Sequence, residues 1–157
     1  MDGVALVDEV RDFLIEKLKE YNFQTKTYGI SKTPSVYSGF LPEKEYEEEP
    51  ESVPEDYPFV VIQYLSDDEE THDSVTYNLQ IIVGIVDHSV EGWRDVLRLM
   101  TEIKRYLIKK QVIKSFALKE GIKSKLFEEQ LHPFWHGVIS LDFEGPGVAQ
   151  ERSDILG

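Results

Sequence analysis

The sequence contains no cysteine among its 157 residues. This absence excludes disulfide bonds and thiolate metal sites, and it leaves the redox compartment open. Long apolar runs are also missing, since the longest uninterrupted one covers only residues 81–86. A membrane-spanning helix needs about 20 such residues. The first residues carry no basic segment of the kind that opens a secretory signal, so we expect neither a membrane span nor a signal peptide.

Basic residues are scarce relative to acids. The chain has 17 lysines and arginines against 30 aspartates and glutamates, for a formal net charge of −13. The negative electrostatic potential of such a chain repels nucleic acid unless the cations are gathered on one face, so we expect no recognition of nucleic-acid sequence. Residues 43–56 hold eight of the acids and one lysine, which leaves 22 acids and 16 bases, or −6, for the rest. Most of the chain is therefore only modestly acidic.

Catalytic motifs of recognisable spacing are absent. The sequence has no Walker glycine loop, no dinucleotide fingerprint, no Gly-x-Ser-x-Gly elbow and no His-Glu-x-x-His. His132 and His136 have the separation of paired helical metal ligands, but Pro133 lies between them and a strand pattern follows, so we expect no metal site. Asp87 and His88 occupy a turn that could hold active-site residues, although a polar turn ahead of a helix is the commoner explanation. We therefore expect no enzymatic activity and no cofactor.

The strongest structural pattern runs from residue 74 to residue 111. Residues 75–86 alternate at first and then become wholly apolar, which predicts a central strand. Residues 87–89 supply a turn, with Ser89 as the expected N-cap of a helix. The helix carries apolar residues at steps of three and four, at Trp93, Val96, Leu97, Met100, Ile103 and Leu107. One stripe of this helix should therefore face a sheet.

The remaining patterns extend this unit. Residues 4–21 read as a first helix with Asp2 as a possible cap, and residues 66–73 as a polar connection. Strand patterns cover residues 23–29, 58–65, 122–128 and 135–144, while residues 112–118 fit either a last helical turn or a short strand. The predicted core comprises Val7, Val10, Leu14, Leu18, Val60, Ile62, Leu79, Ile81, Val83, Trp93, Val96, Met100, Ile103, Leu107, Val138 and Leu141.

Together these elements predict a single α+β domain over residues 1–147, followed by a flexible tail over residues 148–157. Its sheet should be mostly antiparallel, with about four to five strands and two helices packed on one face. Residues 31–56 contain four prolines and no regular period, so we expect a long acidic loop, more mobile than the body.

Two segments are candidates for interaction surfaces. In the acidic loop, Tyr37, Phe40 and Tyr46 could make a docking arm that orders on a partner, although the loop could equally be a solvated spacer. On the second helix, Arg94, Arg98 and Arg105 belong to the one basic surface of an acidic chain. That surface could pair with acidic segments of a neighbouring subunit, or it could be a solvated helix face.

Three segments carry a resemblance to a known family. They are residues 78–87 (Asn-Leu-Gln-Ile-Ile-Val-Gly-Ile-Val-Asp), residues 91–97 (Glu-Gly-Trp-Arg-Asp-Val-Leu) and residues 132–137 (His-Pro-Phe-Trp-His-Gly). In these the chain resembles small structural proteins of tailed bacteriophages and prophages, of the tail terminator or tail completion type of minor tail protein. The likeness covers about residues 57–144 and, in general pattern, the first helix. Residues 31–56 have no counterpart in it.

The resemblance implies a homo-oligomeric ring, commonly a hexamer, on the last ring of the tail tube. The implied partners are copies of the chain itself, the tail tube protein and the head-tail connector proteins. The implied location is the tail or neck of the virion, assembled in the cytoplasm of the bacterial host. Two alternatives stay open: a minor capsid or head-tail connector protein, and a small hydrolase or ligand-binding enzyme that uses Asp87, His88 and a carboxylate.

Overall fold

The computed structural model describes residues 2–41, 56–71 and 73–147, which form two helices and nine strands. Helix α1 spans Gly3–Leu18 and helix α2 spans Gly92–Lys110. The strands are β1 (Phe23–Gln24), β2 (Ser31–Lys32), β3 (Ser35–Ser38), β4 (Phe59–Thr71), β5 (Ser74–Val86), β6 (Val112–Ile113), β7 (Phe116–Leu118), β8 (Lys123–Leu126) and β9 (Phe134–Pro146).

Seven of these strands form one mixed sheet that curls into a half-barrel. Its order is β3-β4-β5-β9-β7-β6, and β8 pairs with β9 beside β7. Strand β5 is central, because it pairs antiparallel with β4 on one side and with β9 along its whole length on the other. Strands β1 and β2 form a separate small antiparallel sheet. The predicted sheet of four to five mostly antiparallel strands is therefore wrong.

The missed parallel strand lies inside the stretch that we predicted to be loop. Strand β3 runs parallel to β4, with Ser35 opposite Phe59 and Ser38 opposite Ile62. Parallel neighbours need a crossover of a dozen or more residues, and residues 39–58 supply a connection of 20. Part of the acidic, proline-rich segment thus connects two adjacent strands. Residues 42–55 and 148–157 lie outside the described residues. The predictions of a mobile loop and a flexible tail for those two segments therefore stay predictions.

The β4–β5 hairpin is longer than the sequence indicated. Strand β4 continues through the polar residues 66–71, which we predicted to be a connection, and the register shifts between Tyr64 and Ser66 and again between Asp68 and Thr71. Antiparallel strands can keep a solvated face, so polar side chains are compatible with pairing. The predicted strand ended too early because the prediction relied on apolar residues alone.

Helix α1 packs on the sheet near both of its edges. Its Asp2 cap is confirmed, because the carboxylate accepts a hydrogen bond from the Ala5 amide at 3.0 Å. Its buried stripe is Leu6, Val7, Val10, Leu14 and Leu18. The helix contacts β3 and β4 near one edge of the sheet and β6 at the other edge. Helix α1 thus separates the two edges of the curled sheet.

Helix α2 packs on β5, β8 and β9. The predicted Ser89 cap is wrong, because the helix begins at Gly92 and its N-cap, Glu91, makes no side-chain capping bond. The Ser89 hydroxyl instead accepts from the Glu91 amide at 3.1 Å, and the Asp87 carboxylate accepts from the Ser89 amide at 2.8 Å. These bonds shape a turn ahead of the helix rather than its first residue.

The predicted core is buried except at one residue. Trp93 is 38% exposed, because its neighbour Gly92 occupies the buried side of the helix start. Val138 is buried on the sheet face opposite the main cluster of helix-covered residues. The other predicted core residues belong to that cluster.

Candidate interaction surfaces

The three predicted arginines lie on the exposed face of α2, and each is already paired with an acidic residue three positions earlier. Arg94 Nε lies 2.8 Å from Glu91 Oε2. One turn on, Arg98 lies 3.7 Å from Asp95, and Arg105 pairs with Glu102. Exposed pairs of this kind contribute only about 0 to 1 kcal/mol. A carboxylate from a partner could therefore replace an intrahelical one at little cost.

Apolar side chains lie between these arginines. Trp93 and Leu97 are both partly exposed, and the Arg94 guanidinium sits 4.5 Å from the centre of the Trp93 indole. Together with Arg98, Thr101 and Glu102 they border a depression of about 270 Å³. The face therefore combines aromatic surface with arginine, a composition enriched at protein interfaces.

The basic surface extends well beyond the predicted arginines. Residues 98–125 contain nine lysines and arginines and two acids, a net charge of +7 in a chain of net charge −13. This segment forms the second half of α2, the β6–β7 hairpin and strand β8. Its exposed lysines 109, 110, 114, 123 and 125 make no ion pair with any described residue. The predicted arginines cover only part of the region, because its cations are spread over three different elements. A count of charge along the sequence would have found it.

One part of this region combines lysines with exposed apolar side chains. We call it the basic corner, and it consists of Ile108, Lys109, Lys110, Val112 and Lys114. Ile108 and Val112 are each 50% exposed. The corner lies where α2 ends and β6 begins.

A groove with an apolar floor lies on the other side of α1. We call it the acidic groove, and it is lined by Asp2, Gly3, Val4, Val7, Asp8, Ser38, Gly39 and Tyr64. Its volume is about 460 Å³. Val4 is 70% exposed at its margin, and Asp8 accepts a hydrogen bond from the Ser38 hydroxyl at 2.7 Å. Arg11 also contacts Asp8, at 3.4 Å.

The aromatic residues predicted for the docking arm lie beside this groove or outside the described residues. Tyr37 is half-buried on β3, whereas Phe40 follows the turn at Gly39 and is 80% exposed. Tyr46 falls within the residues that the structure does not describe. The structure therefore places Tyr37 and Phe40 at the β3 edge and the three arginines on α2, so the two predicted groups are not brought together.

The turn between β5 and α2 is held by hydrogen bonds to its polar groups. Burial would raise the pKa of Asp87, but hydrogen bonds with Asp95 and with the Ser89 amide lower it. The hydrogen bond with Asp87, followed by burial, raises the pKa of Asp95 to about 6. The His88 imidazole lies 3.2 Å from the Thr25 carbonyl oxygen. These contacts tie the turn to its neighbours, and none of them joins a base to a nucleophile.

The two histidines near β9 also have separate partners. His132 Nε2 lies 3.0 Å from the His88 carbonyl oxygen, whereas His136 Nε2 lies 2.7 Å from the Tyr57 hydroxyl. Burial lowers the pKa of His136. Within residues 2–41, 56–71 and 73–147, no group of three or more histidines and carboxylates is arranged to hold a metal ion.

Comparison with protein-family models and with curated proteins finds no match for this chain. In the part of the chain that the structure describes, no helix has both the length and the apolar character needed to cross a bilayer.

Proposed function

We propose that this protein is a structural subunit of a bacteriophage tail, the tail terminator, which forms a ring on the end of the tail tube and joins the tube to the head. The proposal places the protein in the tail or neck of the virion, assembled in the host cytoplasm. Its contacts would be with copies of itself, with tube protein and with connector proteins.

The observation that carries the proposal is the segregation of charge. Nine cations are concentrated in residues 98–125, whereas the groove beside β3 is bordered by Asp2 and Asp8. A ring of identical subunits needs two different, complementary surfaces on each subunit. Opposite charge on the two sides of α1 provides such a pair of surfaces.

The arrangement of the three segments that resemble the phage family also supports the proposal. The Trp135 indole donates a hydrogen bond to the Asp87 carbonyl oxygen at 3.0 Å, and Gly92 lies against the same ring. One residue from each of the three segments therefore takes part in a single packing contact. Through this contact the three segments form one structural unit.

The polar groups of the β5–α2 turn and of the start of β9 have partners within the fold. Asp87, His88 and His136 are engaged in hydrogen bonds within the fold. The exposed chemistry of the described residues is charge and apolar surface, which suits a protein that acts by assembling.

Electron microscopy of the purified protein mixed with purified tail tubes tests the proposal. We expect added density at one end of each tube, with the rotational symmetry of a ring. A control with heat-denatured protein should leave the tube ends bare. Bare ends with the native protein, together with its binding to isolated heads, would contradict the terminator assignment and favour a connector.

A further inference from the structure

We infer that the acidic groove binds the basic corner of a second copy of this chain. The inference rests on the proposed ring and names the contact that would build it. The surfaces share no residue, and α1 lies between the β3 flank and the β6 flank.

The groove is suited to an apolar side chain with cations around it. Gly3, Val4, Val7 and Tyr64 provide apolar surface, and a Cβ at Gly3 would collide with the Tyr64 ring. Glycine at this position therefore lets the Tyr64 ring lie against the start of α1. The carboxylates of Asp2 and Asp8 lie in its lining, so cations beside the inserted side chain would face negative charge.

The basic corner has the matching composition and a defined shape. Val112 and Ile108 are exposed apolar residues, and the exposed lysines 109, 110 and 114 lie next to them in the sequence. Gln111 has a positive φ of 63°, its amide donates to the Leu107 carbonyl oxygen at 2.9 Å, and its own carbonyl accepts from the Leu118 amide at 2.8 Å. The turn that precedes Val112 is therefore held on both sides.

Complementary charge selects this occupant over other proteins. The corner carries three lysines that make no ion pair with described residues. The groove of another copy has the carboxylates of Asp2, which caps α1, and Asp8, which also contacts Arg11 of its own chain. A contact between two different surfaces of identical subunits is heterologous, so it propagates from copy to copy and closes when the rotation allows. Exposed ionic contacts are screened by salt, so the association should weaken as ionic strength rises.

The lack of cysteine allows a direct test by disulfide cross-linking. We would prepare Val4→Cys, in the groove, and Val112→Cys, in the corner, and oxidise them separately, mixed together, and as a double variant. We expect a covalent dimer from the mixture, little dimer from either variant alone, and a ladder of larger species from the double variant. Leu131→Cys, at an exposed site outside both surfaces, mixed with Val4→Cys is the matched control and should give little dimer.

A second comparison tests the role of charge. Adding Lys109→Glu and Lys110→Glu to the Val112→Cys chain should lower the yield of mixed dimer at least several-fold, and high salt should also lower the yield from the parent Val4→Cys and Val112→Cys pair. An unchanged yield in both cases would overturn the charge complementarity. A gel-shift assay with duplex DNA tests the other partner that a basic corner could bind. If the protein shifted the DNA, the two lysine substitutions abolished the shift, and the parent cysteine pair gave no cross-link, the partner would be nucleic acid and the inference would be wrong.

The Val4→Cys/Val112→Cys double variant, oxidised in assembled tails, separates this inference from the proposed function. Tails of normal length that contain the protein but yield no Val4–Val112 ladder on oxidation would overturn the contact while leaving the function intact. Conversely, a ladder formed in solution by a protein that is absent from tails would support the contact and contradict the function.

Discussion

Gly92 lies directly against the indole ring of Trp135, at the point where helix α2 begins. A Cβ at position 92 would collide with the indole nitrogen and its neighbouring ring carbons. The same indole N–H donates to the Asp87 carbonyl oxygen at 3.0 Å. The contact therefore fixes the end of β5, the start of α2 and the start of β9 relative to one another.

Replacing Gly92 by alanine should destabilise the protein. By helix propensity alone the change would stabilise by up to about 1 kcal/mol, but overpacking against Trp135 should cost about 1 to 3 kcal/mol. Urea denaturation of the wild type and the variant would measure the difference in unfolding free energy. Val90→Ala, at an exposed position two residues earlier, is the control and should change little. A Gly92→Ala variant as stable as the wild type would mean that the indole moves aside freely.

Truncation of the central unit should be costly. Ile81 and Met100 are fully buried, and the Met100 thioether packs over Gly137, which has no Cβ to obstruct it. We expect Ile81→Ala and Met100→Ala each to lower the free energy of unfolding by about 2 to 5 kcal/mol. Leu131→Ala, at an exposed position, serves as the control. Unchanged melting temperatures for both core variants would be incompatible with a central β5 covered by α2.

The carboxyl pair of Asp87 and Asp95 should make stability depend on pH. Because the pKa of Asp95 is raised to about 6 in the folded protein, the folded state holds a proton that the unfolded chain releases above about pH 4. The stabilising contribution of that proton is present below the unfolded pKa and is lost as pH rises through about 6. The lowered pKa of Asp87 acts in the opposite sense, since its contribution is lost at more acidic pH.

The variant Asp95→Asn imitates the protonated form and tests this dependence. We expect it to be more stable than the wild type above pH 6, and to lose the decline between about pH 4 and pH 6. Chemical denaturation across that range gives both quantities. Glu128→Gln removes a carboxylate at an exposed site and should keep the wild-type profile. If Asp95→Asn followed the wild-type profile as well, the two carboxyls would not share a proton.

Periodicity identified the buried elements because burial imposes it. The apolar alternation of residues 75–86 and the three- and four-residue steps along α2 both follow from packing against one another. The Asp2 cap was likewise visible, since a side chain three residues before an amide can reach it. Local sequence determines these features, so local sequence reveals them.

Features that depend on distant partners were not visible in the same way. Strand β3 has four residues, and its pairing partner lies beyond a connection of 20 residues, so no local period marks it. The polar extension of β4 is a strand because β5 pairs with it, not because its own side chains are apolar. Tertiary pairing decided both cases, so the predicted number of strands was wrong and the parallel β3–β4 pair was missed.

The candidate surfaces show the same division. The exposure of Arg94 and Arg98 follows from helical spacing, whereas their pairing with Glu91 and Asp95 depends on side-chain geometry. The acidic groove could not be found by local patterns, because α1, β3 and β4 each supply part of it.

Tail length is the measurement that tests the proposed function most directly. In a phage or prophage that encodes this protein, Arg94→Glu combined with Arg98→Glu would reverse two charges on the exposed face of α2. The new like-charge pairs with Glu91 and Asp95 should cost only a few tenths of a kcal/mol each, so the fold should persist, as circular dichroism can verify. Lys17→Glu with Lys19→Glu, an equal charge change on exposed residues of α1 and the turn after it, is the control. We expect tails that grow past their normal length with the α2 variant and tails of normal length with the control. Normal, terminated tails with the α2 variant would remove this face from the mechanism, and normal tails in the complete absence of the protein would contradict its role as a terminator.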